Sequence, residues 1–426
     1  MNDKIRAFQN FLDTSVSAYH ATANLKMMLE EQGYQRLFEH ESWDLQRGGK
    51  YYMIRGGTTL IAFRVPTGVP HGFMMSACHT DRPTFKLKEN CELQGTYTRL
   101  ATEGYGGMII SSWMDRPLSI AGRVMVDTGD GVDARLINID QDLMMMPNVA
   151  IHMNRTVNDG YKWNLAVDTI PMVGGSDDGD KFWPLVEQAA GGKILGHDLY
   201  LYIRQKSSVW GIDGEFISGQ ALDDLACAWG TMQGFLNARY VDAVPVFCAF
   251  DDEEVGSNSP QGAASTILEF TLERICEALE LDIHRMLGQS FLVSADNAHA
   301  VHPNHPELAD KANAPVMGRG VVLKFNAAQR YTTDGISASV FRKVCSRVDV
   351  PVQTYTNRPD IRGGSTLGHI SLTHVSVPTA DIGLPQVAMH SCYETAAVAD
   401  LEHLEKAMTE YFGSALVIRQ SGAAIV

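Results

Sequence analysis

Apolar and polar positions at the start of the chain predict two helices followed by two strands. Apolar residues recur at helical spacing over residues 3–13 and 20–31,. Two apolar runs rich in strand-forming residues follow at 59–65 and 72–78, and the second ends directly before His79,. We therefore expect the first part of the chain to build one edge of a sheet and some of its covering helices.

The pattern changes between about Cys91 and Val209. Short pieces typical of strands alternate with glycine-containing turns such as the run from Asp127 to Gly131, and no long helical period occurs until the segment ends,. We predict an inserted β-rich domain over residues 91–209. Residues 1–90 and 210–426 are then the two parts of the domain that this insertion interrupts.

An alternation of helices and strands returns from about Gly211. The pattern predicts helices over residues 222–240, 261–279 and 401–418, a helix opened by residues 363–366, and strands over 244–250, 290–294, 352–356 and 374–379,. Strands that alternate with helices favour a parallel arrangement. The predicted fold class is α/β, with a mixed, largely parallel sheet sandwiched by helices and an inserted β-rich domain.

Composition restricts the class of protein. The 426 residues are 45% hydrophobic, enough for two globular units, yet no run of about 18 apolar residues predicts a membrane span or signal peptide,. Seven scattered cysteines, never spaced as C-x-x-C, favour free thiols in a reducing cytoplasm,. A formal charge of −15 disfavours binding to nucleic acid or to an anionic membrane surface,.

Polar residues follow several predicted strands, at the positions where α/β sheets normally assemble a site. His79 begins one such group, although a buried, hydrogen-bonded histidine is more often structural than a metal ligand,. Asp81 lies two residues later and could accept a hydrogen bond from a metal-binding imidazole,. His79 and Asp81 together are therefore a candidate ligand and its orienting carboxylate.

Four carboxylates, residues 251–254, follow another strand directly. Their mutual repulsion disfavours ionising all four unless a cation is present, although a solvated acidic loop is the alternative. In the functional interpretation, Glu253 and Glu254 have different tasks: one binds metal, and the other takes a proton from water.

Three more candidates lie elsewhere in the chain. Asp223 lies near the start of a predicted helix, where it could either cap the helix or bridge two metal ions,. Asp296 precedes a loop with three histidines, a density that suggests metal binding but also occurs in solvated loops,. His390 is a weak candidate by itself. The sequence contains no serine-hydrolase elbow, H-E-x-x-H helix, Walker loop or dinucleotide glycine motif, and the remaining oxygen and nitrogen donors suit two zinc, manganese or cobalt ions,.

Ordered segments along nearly the whole chain resemble the aspartyl aminopeptidase family. These segments are residues 78–88 (CHTDRPTFKLK), 222–227 (LDDLAC), 252–257 (DEEVGS), 294–304 (SADNAHAVHPN), 329–331 (QRY), 364–368 (GSTLG) and 381–391 (DIGLPQVAMHS). Arg82, Thr84 and Asp224 depart from the residues usual in the family and bear on the shape of the substrate pocket.

The resemblance implies two Zn²⁺ ions per subunit, with Co²⁺ or Mn²⁺ as alternatives. It implies that one ion is held by His79, Asp223 and Asp296, and the other by Asp223, Glu254 and His390. It further implies that Glu253 is the general base and that Asp81 orients His79.

The resemblance also implies an assembly. The inserted domain would drive dimerisation, the dimers would form a homo-dodecamer, and His152 would reach the site of a neighbouring subunit. Lys324 matches a family position near the substrate, and Arg330 and Arg362 are further candidates for binding an acidic side chain. Structural or surface ion pairing is the alternative for these three residues.

These observations predict a cytoplasmic metallo-aminopeptidase. It would remove N-terminal residues, with Asp or Glu preferred, from peptides by means of a hydroxide shared by two metal ions, with Glu253 as the base,. A dinuclear-metal deacylase or amidase acting on small N-acyl compounds is the alternative enzyme, because the same ligands would serve any amide. A peptide-binding protein without catalysis is a third interpretation.

Overall fold

The computed structural model describes residues 3–176, 178, 181–361, 363–364, 366–419 and 422–426. The α-helices in this part of the chain are α1 (Asp3–Thr14), α2 (Ala18–Glu31), α3 (Phe182–Ala190), α4 (Leu222–Asn237), α5 (Ile267–Ala278), α6 (Ile283–Leu287), α7 (Gly335–Arg347), α8 (Leu367–Ser371) and α9 (Val398–Phe412). No helix among the described residues is long and apolar enough to span a membrane.

The β-strands in the described part of the chain fall into four sheets. They are β1 (Gln35–Arg36), β2 (Lys50–Arg55), β3 (Thr59–Arg64), β4 (Phe73–His79), β5 (Thr84–Leu93), β6 (Thr98–Tyr105), β7 (Leu118–Asp127), β8 (Val132–Asn138), β9 (Met172–Gly174), β10 (Ile194–Ile203), β11 (Ser208–Trp210), β12 (Phe216–Gly219), β13 (Val244–Phe250), β14 (Phe291–Ala295), β15 (Ala298–His299), β16 (Val321–Phe325), β17 (Val352–Thr356), β18 (Thr379–Gly383), β19 (Pro385–Val387), β20 (Glu394–Ala397), β21 (Leu416–Arg419) and β22 (Gly422–Ile425).

A nine-stranded mixed sheet forms the centre of the molecule, with the strand order β1-β2-β3-β13-β4-β14-β18-β16-β17. Its middle strands β13, β4, β14 and β18 run parallel to one another. Antiparallel pairs join β2 to β3, β3 to β13 and β18 to β16. This arrangement confirms the mixed, largely parallel sheet predicted from the alternation of strands and helices.

Apolar side chains cover both faces of this sheet. In β4, Met74 and Cys78 pack into one core with helices α1, α2, α4, α7 and α9. Phe73, Met75 and Ala77 point the other way, into a second core with α5, α6 and α8. Because successive side chains of a strand point to opposite faces, a nearly continuous apolar strand is what a sheet between two helical layers requires.

A second sheet of six strands, in the order β8-β7-β10-β5-β6-β9, is antiparallel throughout. Its strands lie between Thr84 and Ile203, and helix α3 packs against its core. The first strand thus begins before residue 91, where the sequence pattern places the start of the insertion.

One carboxylate joins the six-stranded sheet to the N-terminal helices. Asp198 on β10 accepts hydrogen bonds from Arg123 Nη2 at 2.7 Å, Lys86 Nζ at 3.0 Å and the Tyr19 hydroxyl at 3.2 Å. Arg123 Nη1 also donates to the carbonyl of Gly56 at 2.7 Å, in the turn between β2 and β3. These contacts fix the orientation of β7 and β10 against α2 and the central sheet.

Several predicted elements differ from the observed ones. The helix expected from residue 261 begins only at Ile267, after a series of turns. The strand expected at 374–379 is a turn after α8, where Val375 N donates to Ser371 O, and β18 begins only at Thr379. Val375 is apolar because it is buried in a loop against the sheet. The last helix ends at Phe412, because Ser414 N–H then donates to Tyr411 O, three residues back, and the residues that follow form the β21–β22 hairpin,.

Candidate metal centre

Three neighbouring strands of the central sheet end at the same place. His79 is the last residue of β4, Asp296 follows β14, and the turn containing Glu253 and Glu254 follows β13. Because these three strands are parallel and adjacent, their carboxyl ends meet at one edge of the sheet,. The sheet topology therefore brings together residues that are far apart along the chain.

Two more predicted residues approach from outside the sheet. Asp223 lies at the start of α4, and His390 lies between β19 and β20. Glu394 joins them, because its Oε2 accepts the backbone N–H of Asp223 at 2.9 Å and its Oε1 accepts that of His390 at 2.7 Å. Asp223 provides no capping hydrogen bond to α4 within the described chain, which leaves its carboxylate free for another role.

The Asp223 carboxylate lies between two imidazoles. Its Oδ1 is 3.5 Å from His79 Nε2, and its Oδ2 is 3.4 Å from His390 Nε2. His390 Nε2 is also 3.4 Å from Glu254 Oε2. One carboxylate thus presents a different oxygen to each histidine, as a ligand shared between two ions would.

Both histidines direct the same nitrogen toward Asp223. His390 Nδ1 lies 2.6 Å from the carbonyl of Gly107, and His79 Nδ1 lies 3.2 Å from the carbonyl of Asp81. A carbonyl only accepts hydrogen bonds, so each Nδ1 carries the proton. In the neutral imidazole, Nε2 then has a free lone pair that can bind a metal ion.

Among the described residues, three groups of donor atoms are close enough to hold an ion, with the atoms of each group within 4.8 Å of one another. The groups are His79, Asp223, Asp224 and Asp296; Asp223, Glu254 and His390; and His79, Glu253 and Glu254. The first two contain the predicted ligand sets and share Asp223, and the first adds Asp224. The third group means that distance alone does not separate the roles of the two glutamates.

The chemistry of these donors fits bound cations. Asp223 Oδ1, Asp224 Oδ1 and Glu254 Oε1 are buried, and no described residue gives them a hydrogen bond. Burial, reinforced by the charges of Asp296 and Asp81, raises the pKa of Glu253 to about 8. Burial and the charge of Asp223 raise the pKa of Glu254 in the same direction. A bound cation would give the unpaired carboxylate oxygens a partner and would offset the repulsion between the carboxylates.

Asp81 supports the site from beneath. Its Oδ1 lies 3.3 Å from His79 Nδ1 and accepts the backbone N–H of Glu253 at 3.2 Å. Its Oδ2 accepts the backbone N–H of Glu254 at 3.1 Å. One carboxylate therefore contacts the imidazole of one candidate ligand and the backbone of both glutamates.

A cavity of about 220 Å³ opens above these residues. Its lining includes His79, Asp223, Glu253, Asp296 and His390 but not Glu254. Glu253 thus borders the space available to a substrate. Glu254 belongs to the donor group behind it.

Lys324 also lines this cavity, from β16 in the central sheet. Its Nζ donates to the carbonyls of Asp296 at 2.7 Å and Asn297 at 3.3 Å, and lies 3.7 Å from Asp296 Oδ1. Arg330 donates to the carbonyl of Gly363. Arg362 lies outside the described residues. Of Lys324, Arg330 and Arg362, Lys324 is the candidate that lines the cavity within the described part of the chain.

His152 lies apart from this group of side chains. It is exposed, in a turn between β8 and β9, and is not among the described residues that line the cavity. Its neighbours Val149, Ile151 and Met153 are also exposed, with Met153 80% accessible. Within one subunit, His152 does not complete the site.

Several supporting residues escape a search for ligand types in the sequence. In the sequence, Glu394 is recognisable only as an acid four residues after His390, and Tyr105 and Gly107 belong to a glycine-rich run, residues 104–107, at the end of β6. Two residues of the site also have left-handed backbone conformations, Asp252 with φ 59° and His390 with φ 65°. Such conformations in non-glycine residues are uncommon and concentrate at functional sites.

Known proteins resemble this chain over nearly its full length. Residues 11–412 match the family described as aminopeptidase I zinc metalloprotease (M18). The chain is 41% identical to the "Probable M18 family aminopeptidase 2" of Clostridium novyi, over 97% of this chain and 100% of the relative. Its fold is similar to a chain in the cryo-EM structure of the Ape4 and Nbr1 complex, with a TM-score of 0.92, 33% identity and coverage of 96% of this chain and 85% of that one. It is also similar to the S. cerevisiae mApe1 dodecamer structure, with a TM-score of 0.85, 25% identity and coverage of 96% of both chains.

Proposed function

This chain belongs to the aminopeptidase I zinc metalloprotease family (M18), and we propose that it uses two divalent metal ions to remove acidic N-terminal residues from peptides. Aspartyl aminopeptidases are members of that family, and the chain is accordingly a metallo-aminopeptidase, a hydrolase. The observation that carries the two-ion proposal is the position of Asp223 between the Nε2 atoms of His79 and His390.

The proposed ligands are His79, Asp223 and Asp296 for one ion, and Asp223, Glu254 and His390 for the other. Zinc is the metal that the family description names, and Co²⁺ or Mn²⁺ suits the same nitrogen and oxygen donors,. When bound, such ions polarise a peptide carbonyl and lower the pKa of water.

Glu253 is proposed as the general base. It borders the cavity, and its backbone is held by Asp81, so its carboxylate is directed at the substrate space. It would take a proton from the attacking water and deliver that proton to the amine that leaves. Asp81 would fix the imidazole of His79 and the relative positions of the two glutamates.

A peptide fits the space around the site better than a small N-acyl compound. The cavity above the metal ligands adjoins a second one of about 330 Å³, and both are lined by His299, Tyr355, Gly364 and Met389. A terminal residue bound at the metal ions would therefore have a continuous path for the chain that follows it. This path favours the aminopeptidase over the alternative deacylase or amidase.

The preference for Asp or Glu rests on Lys324. Its Nζ donates to the carbonyls of Asp296 and Asn297 and lies 3.7 Å from Asp296 Oδ1, so one of its three N–H groups has no acceptor at hydrogen-bond distance among the described residues,. This ammonium group lines the cavity. A charge-assisted hydrogen bond to a substrate carboxylate is worth about 1.5–3 kcal/mol, or roughly tenfold to a hundredfold in selectivity.

We further propose a homo-dodecamer of dimers that assemble through the inserted domain, residues 91–209, with residues 1–90 and 210–426 as the catalytic domain. The exposed apolar side chains of Val149, Ile151 and Met153 around His152 support burial of this loop by a second copy,. His152 would then reach the substrate site of the neighbouring subunit. All seven cysteines are buried free thiols, which supports a cytoplasmic location,.

The experiment is a comparison of kcat/KM for peptides beginning with Asp, Glu or Leu, with free and with blocked amines, for the wild type and Lys324→Met. We expect Asp and Glu to exceed Leu by tenfold or more in the wild type, the preference to collapse in Lys324→Met, and blocked peptides to be resistant. Zinc content is measured in parallel, because loss of zinc from Lys324→Met would mean that Lys324 supports Asp296 instead of reading the substrate. Equal cleavage of Leu peptides would refute the acidic preference, and cleavage of blocked peptides would favour the deacylase.

A further inference from the structure

One segment of the six-stranded sheet region reaches several residues of the metal centre. Residues 105–109, here called the clamp segment, begin at the last residue of β6; they contact Asp81, Asp252 and His390 and pass close to Glu254. We propose that the clamp segment, and Tyr105 above all, positions the metal ligands and the general base. Tyr105 is thus a positioning residue for the reaction. This inference rests on the proposed two-metal function.

Tyr105 holds two carboxylates beneath the site. Its hydroxyl lies 2.7 Å from Asp81 Oδ2 and 2.8 Å from Asp252 Oδ1. One hydroxyl proton is thus shared between two negative groups that would otherwise repel each other. Burial, together with the charges of Asp81 and its neighbours, raises the pKa of Tyr105 far above its ordinary value, so the hydroxyl remains a donor,.

The effect of Tyr105 passes to the catalytic groups through Asp81. The same Oδ2 that accepts the Tyr105 hydroxyl accepts the backbone N–H of Glu254. The other oxygen of Asp81 faces His79 and the backbone N–H of Glu253. A shift of the Asp81 carboxylate would therefore displace one ligand and both glutamates together.

The rest of the clamp segment contacts the opposite side of the centre. Gly107 O accepts from His390 Nδ1 at 2.6 Å, and Ile109 N–H donates to His390 O at 2.9 Å. Gly106 has φ 73°, and a side-chain carbon placed there would lie 3.1 Å from Glu254 Cβ. Glycine at 106 thus allows the backbone of the clamp segment to lie close to Glu254, and any larger residue would push the two apart.

The clamp segment is anchored in the six-stranded sheet, because β6 pairs with both β5 and β9. Its contacts reach both groups of proposed ligands from that anchor. The inserted region therefore contributes to the geometry of the metal centre within the same subunit, in addition to any part it has in assembly.

The test compares Tyr105→Phe with Tyr200→Phe. Tyr200 packs edge-on against Tyr105, with ring centroids 5.6 Å apart, but its hydroxyl makes no hydrogen bond within the described part of the chain. Loss of an outer contact to metal ligands typically costs roughly 10–100-fold in metal affinity or activity, and Tyr105 acts one contact further out, through Asp81, which favours the lower end of that range. We expect Tyr105→Phe to lower kcat and zinc affinity by roughly tenfold to a hundredfold with KM within about twofold, and Tyr200→Phe to match the wild type.

Zinc affinity is measured on metal-free protein by competition with a chelator, so that this readout does not depend on turnover. Gly106→Ala provides a second variant, in which Tyr105 is intact and Glu254 is displaced, and we expect it to weaken zinc binding as well. Unchanged kcat and zinc affinity in Tyr105→Phe, or equal losses in Tyr200→Phe, would overturn the inference. Failure of the wild type itself to bind zinc or cleave peptides would instead refute the proposed function.

Discussion

Replacement of Glu253 by Gln tests the assignment of the two neighbouring glutamates most directly. The amide keeps the shape of the side chain but cannot take a proton, and the backbone contact with Asp81 is unaffected,. We expect both metal ions to remain bound and KM to change little, because Glu253 borders the cavity and is not in either proposed ligand set.

The expected loss is in kcat. General-base catalysis is typically worth about 10²–10⁴-fold, which corresponds to roughly 2.7–5.4 kcal/mol in the activation barrier. The raised pKa of Glu253 reflects burial among carboxylates, and bound cations would restore its ionised, proton-accepting form,. The full loss is therefore expected in the metal-loaded enzyme near neutral pH.

Glu254→Gln is the matched variant, because it makes the same chemical change one residue away. The carboxylate of Glu254 is 3.4 Å from His390 Nε2 and is buried behind the cavity. We expect this variant to lose about one ion per subunit by elemental analysis, whereas Glu253→Gln retains the wild-type stoichiometry. If Glu253→Gln loses metal, or keeps more than about a tenth of the wild-type kcat, the assignment of the base is wrong.

Three further predictions address the bridging ligand, the assembly and the Asp198 carboxylate that joins the six-stranded sheet to the N-terminal helices. Asp223→Ala should lose both ions and His390→Ala chiefly one, so equal metal stoichiometry in the two variants would contradict a bridging role for Asp223. His152→Ala should lower activity with its metal content intact, and mixing it with a metal-site variant should restore some activity. An active monomer in light scattering would exclude that arrangement. Burial opposes ionisation of Asp198, but hydrogen bonds from Arg123 and Lys86 lower its pKa in the folded protein. The ionised carboxylate therefore stabilises the fold fully above the pKa of an unfolded aspartate, and this stabilisation is lost as the pH falls through the lowered pKa of the folded state. Asp198→Asn should therefore reduce the free energy of unfolding by about 1–2 kcal/mol at pH 7, and this difference from the wild type should disappear in acid. If the variant is still less stable than the wild type in acid, the loss comes from packing and not from the charge.

The sequence predicted the central fold well, because its strands are buried on both faces and follow a simple apolar pattern. β13 and β17 have the predicted bounds, and the family resemblance is confirmed by the match over residues 11–412. The apolar pattern misplaced the start of β18. The residues before Thr379 are apolar because they pack into the core from a loop, and they do not pair with a neighbouring strand. An apolar alternation records burial, and burial alone does not specify a strand.

The donor residues could be proposed from the sequence, but their supporting contacts could not. His79, Asp223 and Glu254 are of residue types that bind metal, and the family motif gives their positions. Glu394 acts through backbone N–H groups, and Gly107 acts through a carbonyl that any residue would possess. Such contacts depend on the path of the chain and leave little signal in residue type.

The strand order of the central sheet has a consequence for folding. β13 lies between β3 and β4, although the entire six-stranded sheet separates it from them along the chain. Pairings between distant segments form slowly, because the intervening chain must first be closed into a loop. The three strand ends that hold His79, Glu254 and Asp296 meet only after β13 has entered this gap. Zinc should therefore be captured at a late step of folding, and chelators present during refolding should have little effect on the rate at which the sheet forms.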